Sequence, residues 1–370
     1  MIQLIDLNYH VHANISEPIE VMELQKASTG FVKFINRKLN LTLVKHMNYE
    51  GEISLYGTAC NFFKRRNSFF GIPFKTHRFI KKQSPDIILI QGLIFPAQII
   101  ALKMLAGRKV KFIVQHHGES PYRGIKKIFQ QTADRSIHKY IFTSIVNANE
   151  WIESGIISSK EKCSEVLEAS TDFNQRDKEK SKQLLGMDGN KNFLWVGRLH
   201  TGKDPLTVIN AFEKYISTHP EGKLYMVYQT NELLPEIEKE LSKNESLQNA
   251  VVLLGKVFHD DLETWYNAAD FYISGSHKEG SGYALIEAMA CGCIPVVTKI
   301  PSFNKITGNG KFGFLFEPGS SESLLETLVK LNNVNRNEFA GSVVNHFKNS
   351  LSFESIANSL YEVCESTLIQ

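Results

Sequence analysis

The chain has 370 residues, of which 42% are hydrophobic and 22% are charged. This length is too great for one ordinary core and suits two domains. The balance of apolar and charged residues is that of a folded globular protein and excludes a disordered chain. No window approaches about 18 uncharged apolar residues, so the sequence predicts no helix that crosses a membrane.

Charge is distributed unevenly, although the whole chain carries only +3. Through Asp172 there are 23 Lys and Arg against 15 Asp and Glu, a net +8, and the remainder has 19 against 24, a net −5. Two interpretations of the basic half stay open: a solvated surface, or one that faces a membrane or a phosphorylated acceptor. Nucleic acid is disfavoured because the basic clusters are scattered and no recognition motif accompanies them.

The cysteines form no disulfide or metal-binding pattern. There are five, and Cys291 and Cys293 are too close together for a C-x-x-C site. No basic region precedes a long apolar stretch at the N-terminus, so the sequence predicts no signal peptide. We therefore expect reduced cysteines and a cytoplasmic protein, with peripheral contact at the inner face of the membrane as the further expectation for the basic half.

Apolar runs of strand length alternate with longer helical segments, which predicts parallel sheets built from right-handed βαβ units. The runs are rich in Ile, Val and Phe, as expected of strands buried on both faces. The predicted strands are 2–7, 87–90, 112–115, 193–196, 224–228, 251–254, 271–274 and 294–298. The predicted helices are 205–216, 260–269 and 321–331, with an amphipathic tail over 352–368.

The polar segment 174–192 follows a strand-like run at 164–167 and precedes a new strand, so we place the domain boundary there. We assign residues 1–172 to an N-terminal Rossmann-like domain and 173–351 to a C-terminal one. Two α/β halves of similar size predict a cleft between them, where such folds usually bind a ligand.

The segment 271–298 reads as strand, glycine-bearing loop, helix, glycine stop and strand. A helix that directly follows a parallel strand presents free N–H groups and the positive end of its dipole, which suits a diphosphate. Gly280 and Gly282 free the backbone at the helix start, although many α/β turns carry glycine for steric reasons alone. Glu279 and Glu287 are eight residues apart, so we expect one at the mouth of the loop and the other one turn deeper. They then do not flank one bond as a glycosidase acid/base pair does, and they suit hydroxyls at two places.

Each carboxylate also has a structural interpretation. Glu287 could form a salt bridge within its helix, and Glu279 could be a favourable charge near the helix N-terminus.

Two other strand ends carry polar groups. Arg198 follows the predicted strand 193–196 and Lys203 follows in the next loop, where both could neutralise a diphosphate. His116 and His117 follow the predicted strand 112–115. By itself, this pair of histidines is weak evidence for a functional site.

These segments together resemble the retaining glycosyltransferases of family 4, which have the GT-B fold. Glu279 and Glu287 match the family's E-x7-E spacing, and the 288–292 AMACG stretch is its usual continuation. Gly197-Arg198-Leu199 with Lys203 matches its phosphate-binding loop. The family's ADR and IPNGVD elements correspond to 133–135 and 166–173. The resemblance is strong from about Ala133 to Pro318 and weak before Phe112.

The resemblance implies a role for each matching residue. Arg198 and Lys203 would bind the donor diphosphate, Glu279 the donor sugar, and Glu287 the nucleotide ribose. His117 fits the active-site histidine that touches the transferred sugar, with His116 as the open alternative. The implied donor-binding set is Gly197, Arg198, Lys203, Glu279, Gly280, Ser281, Gly282, Tyr283, Ala284 and Glu287. The acceptor-side candidates are His10, His12, His116 and Glu119, and a C-terminal helix over about 352–370 is expected to pack on the N-terminal domain.

The sequence departs from the family pattern at four places. The stretch 8–16 lacks the usual glycine-rich loop after the first strand, and Ser281 replaces a phenylalanine. The segment 301–305, PSFNK, replaces a glycine-rich turn, and Ser170-Thr171 replaces Asn-Gly. These departures leave the donor and the N-terminal site open.

We expect a metal-independent, retaining glycosyltransferase, because the family uses front-face attack and this chain has no DxD triplet. No cofactor is expected, since the nucleotide-sugar is a substrate; UDP is favoured as its base and GDP-mannose is next. The acceptor is a glycan, a lipid-linked molecule or a small molecule in cell-envelope or glycoconjugate synthesis. Two alternatives remain: a nucleotide-sugar epimerase of the same fold, and a non-catalytic subunit that binds sugar nucleotides. A nicotinamide enzyme is disfavoured because no G-x-G-x-x-G follows the first strand.

The best candidate for membrane contact is Lys64-Arg65-Arg66, because phenylalanines flank it at 62–63 and 69–70. Aromatic side chains beside basic ones can insert at a lipid interface while the charges meet anionic headgroups. The other interpretation is that these phenylalanines belong to the core and the charges are solvated.

Overall fold

The computed structural model describes residues 1–64, 71–188 and 190–369. The chain divides into two compact units, unit 1 with Met1–Ser170 and Phe353–Gln370, and unit 2 with Thr171–Ser352. Arg65, Arg66 and the phenylalanines at 69–70, on which we placed a membrane contact, lie outside the described residues. Across the described ranges, no helix combines the length and the apolar character needed to cross a membrane.

Unit 1 is built on one sheet. Its strands are β1 (Gln3–His12), β2 (Asn40–Met47), β3 (Gly51–Leu55), β4 (Thr58–Lys64), β5 (Ile87–Gln91), β6 (Lys111–Gln115), β7 (Lys139–Phe142) and β8 (Cys163–Glu165). They are ordered β3-β4-β2-β1-β5-β6-β7-β8. The pairs are parallel, as predicted, except that β3 runs antiparallel to β4 at the edge.

The strand-like run at 164–167 corresponds to β8. Sequence analysis missed β2, β3, β4 and β7, and physical reasons are visible for two of them. The apolar run of β2 is interrupted by Lys45 and His46, which are polar yet buried. In β3, intermediate and exposed residues alternate, so no continuous apolar run marks it. The predicted strand 2–7 also continues to His12, so the first part of the stretch 8–16 is strand rather than loop.

The first helices of unit 1 surround this sheet. They are α1 (Pro18–Leu24), α2 (Lys26–Thr29), α3 (Val32–Ile35), α4 (Phe74–Gln83), α5 (Pro96–Ala106), α6 (Ile125–Asp134) and α7 (Asn149–Glu153). The core contains the apolar side chains of the central strands, such as Ile88, Ile90 and Phe112, together with Trp151 from α7. The strands are therefore buried on both faces, which explains their continuous apolar sequences.

Unit 2 has a second parallel sheet. Its strands are β9 (Lys191–Gly197), β10 (Gly222–Tyr228), β11 (Val251–Gly255), β12 (Phe271–Ser274), β13 (Ile294–Thr298) and β14 (Phe314–Phe316). They are ordered β11-β10-β9-β12-β13-β14. All the described pairs are parallel, and the five strands predicted for this half are confirmed within about two residues at each end.

Helices connect the strands of unit 2. They are α8 (Lys178–Leu185), α9 (Pro205–Ile216), α10 (Leu234–Leu241), α11 (Glu245–Ala250), α12 (His259–Ala268), α13 (Tyr283–Ala290), α14 (Pro301–Ile306), α15 (Ser321–Lys330) and α16 (Arg336–His346). The polar segment 174–192 contains α8, which packs on α12, and Lys178 lies 2.8 Å from Asp270 in an ion pair. This segment is thus part of unit 2.

The last helix, α17 (Phe353–Ile369), packs on α3 in unit 1. The ring of Phe353 fills the space beside Gly30 and leaves no room there for a side chain. The C-terminal residues therefore complete the core of the unit that begins the chain. An amphipathic helix was predicted here from the pattern of apolar residues, and that prediction is confirmed.

Candidate active site

A cavity of about 450 Å³ lies in unit 2 where β9 and β10 end and α13 begins. Parallel strands bring their carboxyl ends to one edge of the sheet, so side chains distant in sequence meet there. The polar lining includes Arg198, Lys203 and Glu279, and the start of α13 contributes Gly282, Tyr283 and Ala284. Gly197 lies beside Arg198 in the same lining.

Helix α13 begins at this cavity. Gly282 is its N-cap and has no side chain to cap the helix. Its φ of +64° suits glycine, and a Cβ there would lie 2.6 Å from Cδ1 of Ile306. Gly280 has ample space and no positive φ. The glycine at 282 is therefore needed for the helix start, and the N-terminus of a helix is the end that favours anions.

Lys203 and Glu279 form an ion pair across the cavity wall. Lys203 ends a short 3-10 turn, and Asp204 follows with a φ of +44°. The Asp204 carboxylate accepts a hydrogen bond from the amide of Thr207 at 3.2 Å and lies 3.0 Å from Nε2 of His277. These contacts fix the loop, so the ammonium group of Lys203 is held in place while Arg198 stays exposed.

Tyr272 was not predicted and lines the same cavity from β12. Burial raises the pKa of its hydroxyl, and the carboxylate of Glu279 nearby raises it further. The hydroxyl is therefore neutral at ordinary pH and can donate a hydrogen bond. No sequence signal distinguished Tyr272 from the other aromatic residues of a buried strand.

Glu287 is buried on α13, one turn deeper than the start of the helix. Its Oε1 lies 2.7 Å from Nε2 of His259, and its Oε2 accepts a hydrogen bond from the Tyr266 hydroxyl at 3.1 Å. The Phe173 ring stacks on His259 at a centroid distance of 5.0 Å. Of the described residues in the predicted donor set, Gly280, Ser281 and Glu287 do not line the cavity.

Unit 1 holds a second group of polar side chains, centred on His117. Its Nδ1 contacts the Glu168 carboxylate, and its Nε2 lies 2.7 Å from Oε1 of Gln91. Because Gln91 uses its amide nitrogen to donate to Asp6 at 2.7 Å, its oxygen must accept from His117. Both ring nitrogens of His117 therefore face acceptors, which favours the imidazolium.

The pKa of His117 reflects this environment. Burial lowers it, but the hydrogen bond to Glu168 and the charges of Glu168, Glu119 and Asp6 outweigh burial, so the pKa is raised. Its own backbone amide donates to Glu119 at 2.6 Å. His117 and Glu168 line a small pocket of about 50 Å³. That is room for about one or two water molecules.

Two buried groups that sequence analysis missed affect each other's pKa beside this network. Lys45 on β2 and Asp6 on β1 are 5% and 6% exposed. Burial raises the pKa of Asp6 and lowers that of Lys45, and each charge opposes the shift of the other. Lys45 also donates to Gln25, whose amide nitrogen lies 3.0 Å from Nε2 of His12.

The remaining predicted histidines are placed differently. His116 is buried beside Phe142 and Trp151, with Nε2 2.9 Å from the Glu119 carbonyl oxygen. His10 packs edge-on against Phe95 at 4.9 Å. Burial lowers the pKa of His10 and of His12. His117 rather than His116 thus lines a pocket, and the four acceptor-side candidates lie around one end of the unit 1 sheet.

Across the described residues, no group of three or more His, Cys, Asp and Glu side chains is arranged to hold a metal ion. The cysteines are free, and burial raises the pKa of Cys60 to about 12 and that of Cys163 to about 11. These thiols are therefore protonated and poorly reactive at ordinary pH.

Comparison with known proteins agrees with this architecture. Residues 176–339, which lie within unit 2, match the family model described as "Glycosyl transferases group 1". Sucrose-phosphate synthase from Thermosynechococcus elongatus aligns over 99% of both chains with a TM-score of 0.69 and 14% identity. A structure of Anabaena Alr3699/HepE in complex with UDP aligns over 99% of this chain and all of that one, with a TM-score of 0.74 and 17% identity. The chain has the GT-B fold.

Curated relatives resemble the chain over a shorter stretch. Mannosylfructose-phosphate synthase of Agrobacterium fabrum is 31% identical over 156 residues, which are 40% of this chain and 34% of that protein. Alpha-monoglucosyldiacylglycerol synthase of Streptococcus pneumoniae is 27% identical over 167 residues, 44% of this chain and 37% of that protein. The chain thus spans about a third of the length of these relatives. Together the matches support a glycosyltransferase.

Proposed function

We propose that this chain is a retaining glycosyltransferase that moves a sugar from a nucleoside diphosphate sugar to a glycan, a lipid-linked or a small-molecule acceptor. UDP is the favoured base of the donor, and GDP-mannose is the next candidate. One observation carries the proposal: Arg198, Lys203 and Glu279 meet the N-terminus of α13 around one cavity. This arrangement offers charge and backbone donors to a diphosphate beside a carboxylate that can bind sugar hydroxyls.

The leaving group explains why these residues belong together. When the glycosidic bond to the diphosphate breaks, negative charge develops on the departing phosphate oxygens. Arg198 can donate in bidentate fashion, Lys203 supplies a positioned point charge, and the α13 amides donate from fixed positions. Such preorganised donors stabilise developing charge without a metal, and metal independence is part of the proposal.

The two carboxylates have separate roles in this proposal. Glu279 is positioned by its ion pair with Lys203 and binds hydroxyls of the transferred sugar. Glu287 binds the ribose with its remaining acceptor capacity, while Tyr266 and His259 orient it. Phe173 holds the His259 ring by stacking.

The anomeric outcome and the acceptor belong to the same proposal. Retention follows the family 4 resemblance, in which the leaving phosphate accepts the proton of the attacking hydroxyl. No step in unit 2 then requires a nucleophile, and Glu279 serves in binding. We assign acceptor binding to unit 1, with His117 as the group that touches the transferred sugar and His10, His12 and Glu119 near it.

The comparisons guide the choice of substrates to test. Solved Anabaena neighbours contain UDP with glucose or UDP-glucose, which makes UDP-glucose the first donor to test. The curated relatives are named for a sugar phosphate and for a glycolipid product. These names support acceptors of both classes in glycoconjugate or cell-envelope synthesis.

Calorimetry of the full chain with UDP, GDP and ADP tests the donor site. We expect one nucleotide to bind and Arg198→Ala to weaken that binding, whereas Lys214→Ala, which alters an exposed lysine on α9, leaves it unchanged. Absence of binding by all three at millimolar concentration would overturn the donor assignment.

Incubation with nucleotide-sugars then separates the candidate activities. Released nucleoside diphosphate with an α-linked product from an α-linked donor, seen by NMR, supports retaining transfer. An epimerised donor without release would instead identify a nucleotide-sugar epimerase. Binding without either product, across the donor panel and with sugar and lipid acceptors, would indicate a non-catalytic subunit.

A further inference from the structure

Helix α6 in unit 1 presents apolar side chains to solvent. Ile125 is 75% exposed, Ile128 60% and Phe129 46%. They occupy positions i, i+3 and i+4, so they lie on one face of the helix. The opposite face is buried and more polar, with Gln130, Ala133 and Asp134. The apolar face of this helix is thus directed away from the core.

Helix α9 shows the usual orientation of an amphipathic helix, with its apolar face toward the core. Its apolar residues Val208, Ile209 and Phe212 are fully buried against the sheet of unit 2. An amphipathic helix is normally stabilised by burying such a face. The three exposed apolar side chains of α6 therefore indicate an interaction site, since clusters of this kind usually mark one.

The charges around this cluster are basic. At about 100° per residue, Lys126 and Arg135 lie at opposite edges of the apolar face, and both are exposed. Arg123 precedes the helix and is exposed as well. The one acidic residue of α6, Asp134, is 3% exposed; it accepts from Tyr140 at 2.9 Å and pairs with Lys162 at 3.0 Å. The outward surface of α6 therefore carries positive charge only.

We propose that this surface, with Ile125, Ile128 and Phe129 between Arg123, Lys126 and Arg135, docks on an anionic lipid membrane. The three apolar side chains enter the boundary between headgroups and acyl chains while the helix lies along the membrane plane. The basic side chains at the edges contact lipid phosphates. The +8 charge of the first 172 residues adds longer-range attraction.

Charge selects a membrane over a second copy of the chain. In a twofold dimer through this surface, the same basic residues of both copies would lie at one small interface and repel each other. Anionic lipid instead supplies the opposite charge over the whole surface. The surface shares no residue with Lys64-Arg65-Arg66, so the two basic clusters can be tested separately.

Vesicle sedimentation tests the proposal with the full chain. Vesicles of phosphatidylcholine are compared with vesicles that contain an equal part of phosphatidylglycerol, at about 0.1 M and about 0.5 M salt. We expect binding to the anionic vesicles, with weaker binding at the higher salt. The variant Ile125→Ser/Ile128→Ser/Phe129→Ser should lower the partition coefficient by about tenfold or more, because it removes the inserted side chains. Arg123→Glu/Lys126→Glu should lower it similarly and leave the apolar residues in place.

Matched controls alter unit 2. Leu184→Ser replaces a side chain that is 79% exposed on α8, and Lys180→Glu/Lys239→Glu reverses two exposed charges. Both controls should bind anionic vesicles like the unaltered protein, and thermal unfolding shows that each variant is folded. Equal binding to neutral and anionic vesicles would overturn the proposal, as would full binding by both α6 variants.

Two further outcomes would also overturn it. If replacing Lys64, Arg65 and Arg66 by alanine abolished binding while the α6 variants retained it, the other basic cluster would be the contact. If the unaltered protein were dimeric in sedimentation velocity without lipid, and the apolar α6 variant were monomeric, the surface would join two copies. Vesicle binding does not depend on a nucleotide, so this result is independent of the proposed enzyme activity.

Discussion

The cavity of unit 2 and the polar network of unit 1 use charged side chains in opposite ways. Around the cavity, Arg198 is exposed and the N-terminus of α13 contributes to the lining. In unit 1, Gln91 joins Asp6 to His117, His117 also contacts Glu168, and the buried Lys45 donates to Gln25. Open donors suit a ligand that arrives and leaves, whereas a satisfied buried network holds its own members in one position.

This difference predicts how the loss of a side chain should affect the protein in each region. A side chain at the open cavity acts on the ligand directly, so its loss should alter binding or turnover without unfolding the chain. A side chain in the buried network acts through its neighbours, so its loss should change the ionisation or position of another residue.

The largest effect on turnover is expected from replacing Arg198 or Lys203, the two side chains proposed to bind the diphosphate. Arg198→Ala and Lys203→Ala should each lower turnover by about a hundredfold to a thousandfold, a loss of roughly 3–4 kcal/mol of transition-state stabilisation. Arg198 is exposed, so its removal should leave thermal unfolding unchanged. Rates of nucleoside diphosphate release provide the measurement, with Lys214→Ala as the control. Normal rates in both variants would show that the phosphate binds elsewhere.

The next effect separates two glycines of one loop. Gly282→Ala should destabilise the protein by about 1–3 kcal/mol, because the positive φ is strained for alanine and the new methyl group meets Ile306. Gly280→Ala should change stability by about 0.5 kcal/mol or less, since its Cβ position is open. Denaturant unfolding of both variants compares them directly, and equal stability would contradict the proposed constraint at Gly282.

Replacing Glu279 and replacing Glu287 should have different effects on nucleotide binding and on turnover. Glu287→Ala should chiefly weaken nucleotide binding, by about tenfold, whereas Glu279→Ala should lower turnover more strongly. His259→Ala should weaken binding less than Glu287→Ala, because it acts only through the orientation of Glu287. Calorimetry and steady-state kinetics separate these effects. Loss of turnover alone in Glu287→Ala would contradict a ribose contact.

The smallest effect concerns the ionisation of His117. Glu168→Gln should lower the pKa of His117, because the neutral amide no longer stabilises the imidazolium. The other groups that affect this pKa, Asp6 and Glu119, remain in the variant, so the shift should be partial. NMR titration of the imidazole measures it, with Glu153→Gln, an exposed residue of α7, as the control.

The direction of the pH dependence follows from the sign of that shift. A raised pKa means that the His117 imidazolium stabilises the folded protein fully below its ordinary pKa of about 6.5. This contribution is lost as pH rises through the raised value. In Glu168→Gln the loss should occur at lower pH, and an unchanged titration would contradict the assignment of Glu168 as the main partner.

Much of unit 2 was predictable from the sequence. Its strands are continuous apolar runs, and α9 carries Asp204 and Pro205 at its start, so ordinary propensities identify them. The cavity residues were also found, because Gly197, Arg198 and Lys203 follow one strand and the glycine loop with Glu279 follows another. Strand ends in a parallel sheet converge, and this rule places such residues together.

The buried parts of the site were less predictable. Tyr272 reads as one more aromatic residue of a strand, and nothing near His259 indicates that it contacts Glu287, 28 residues away. In unit 1, Lys45 looks like a solvated charge, yet it is buried beside Asp6 from another strand. Contacts of this kind depend on register between elements, which a single sequence does not specify.

By itself, the sequence determined the two α/β units, the helix of the glycine loop and the charged residues of the cavity, because these features are local or follow strand ends. Only the tertiary structure decided that His117 faces Glu168 and Gln91 while His116 packs beside Trp151. It also decided that the apolar face of α6 is exposed and its polar face buried. The pattern of apolar residues locates the face of a helix, and the neighbours that complete the fold determine whether that face meets the core or solvent.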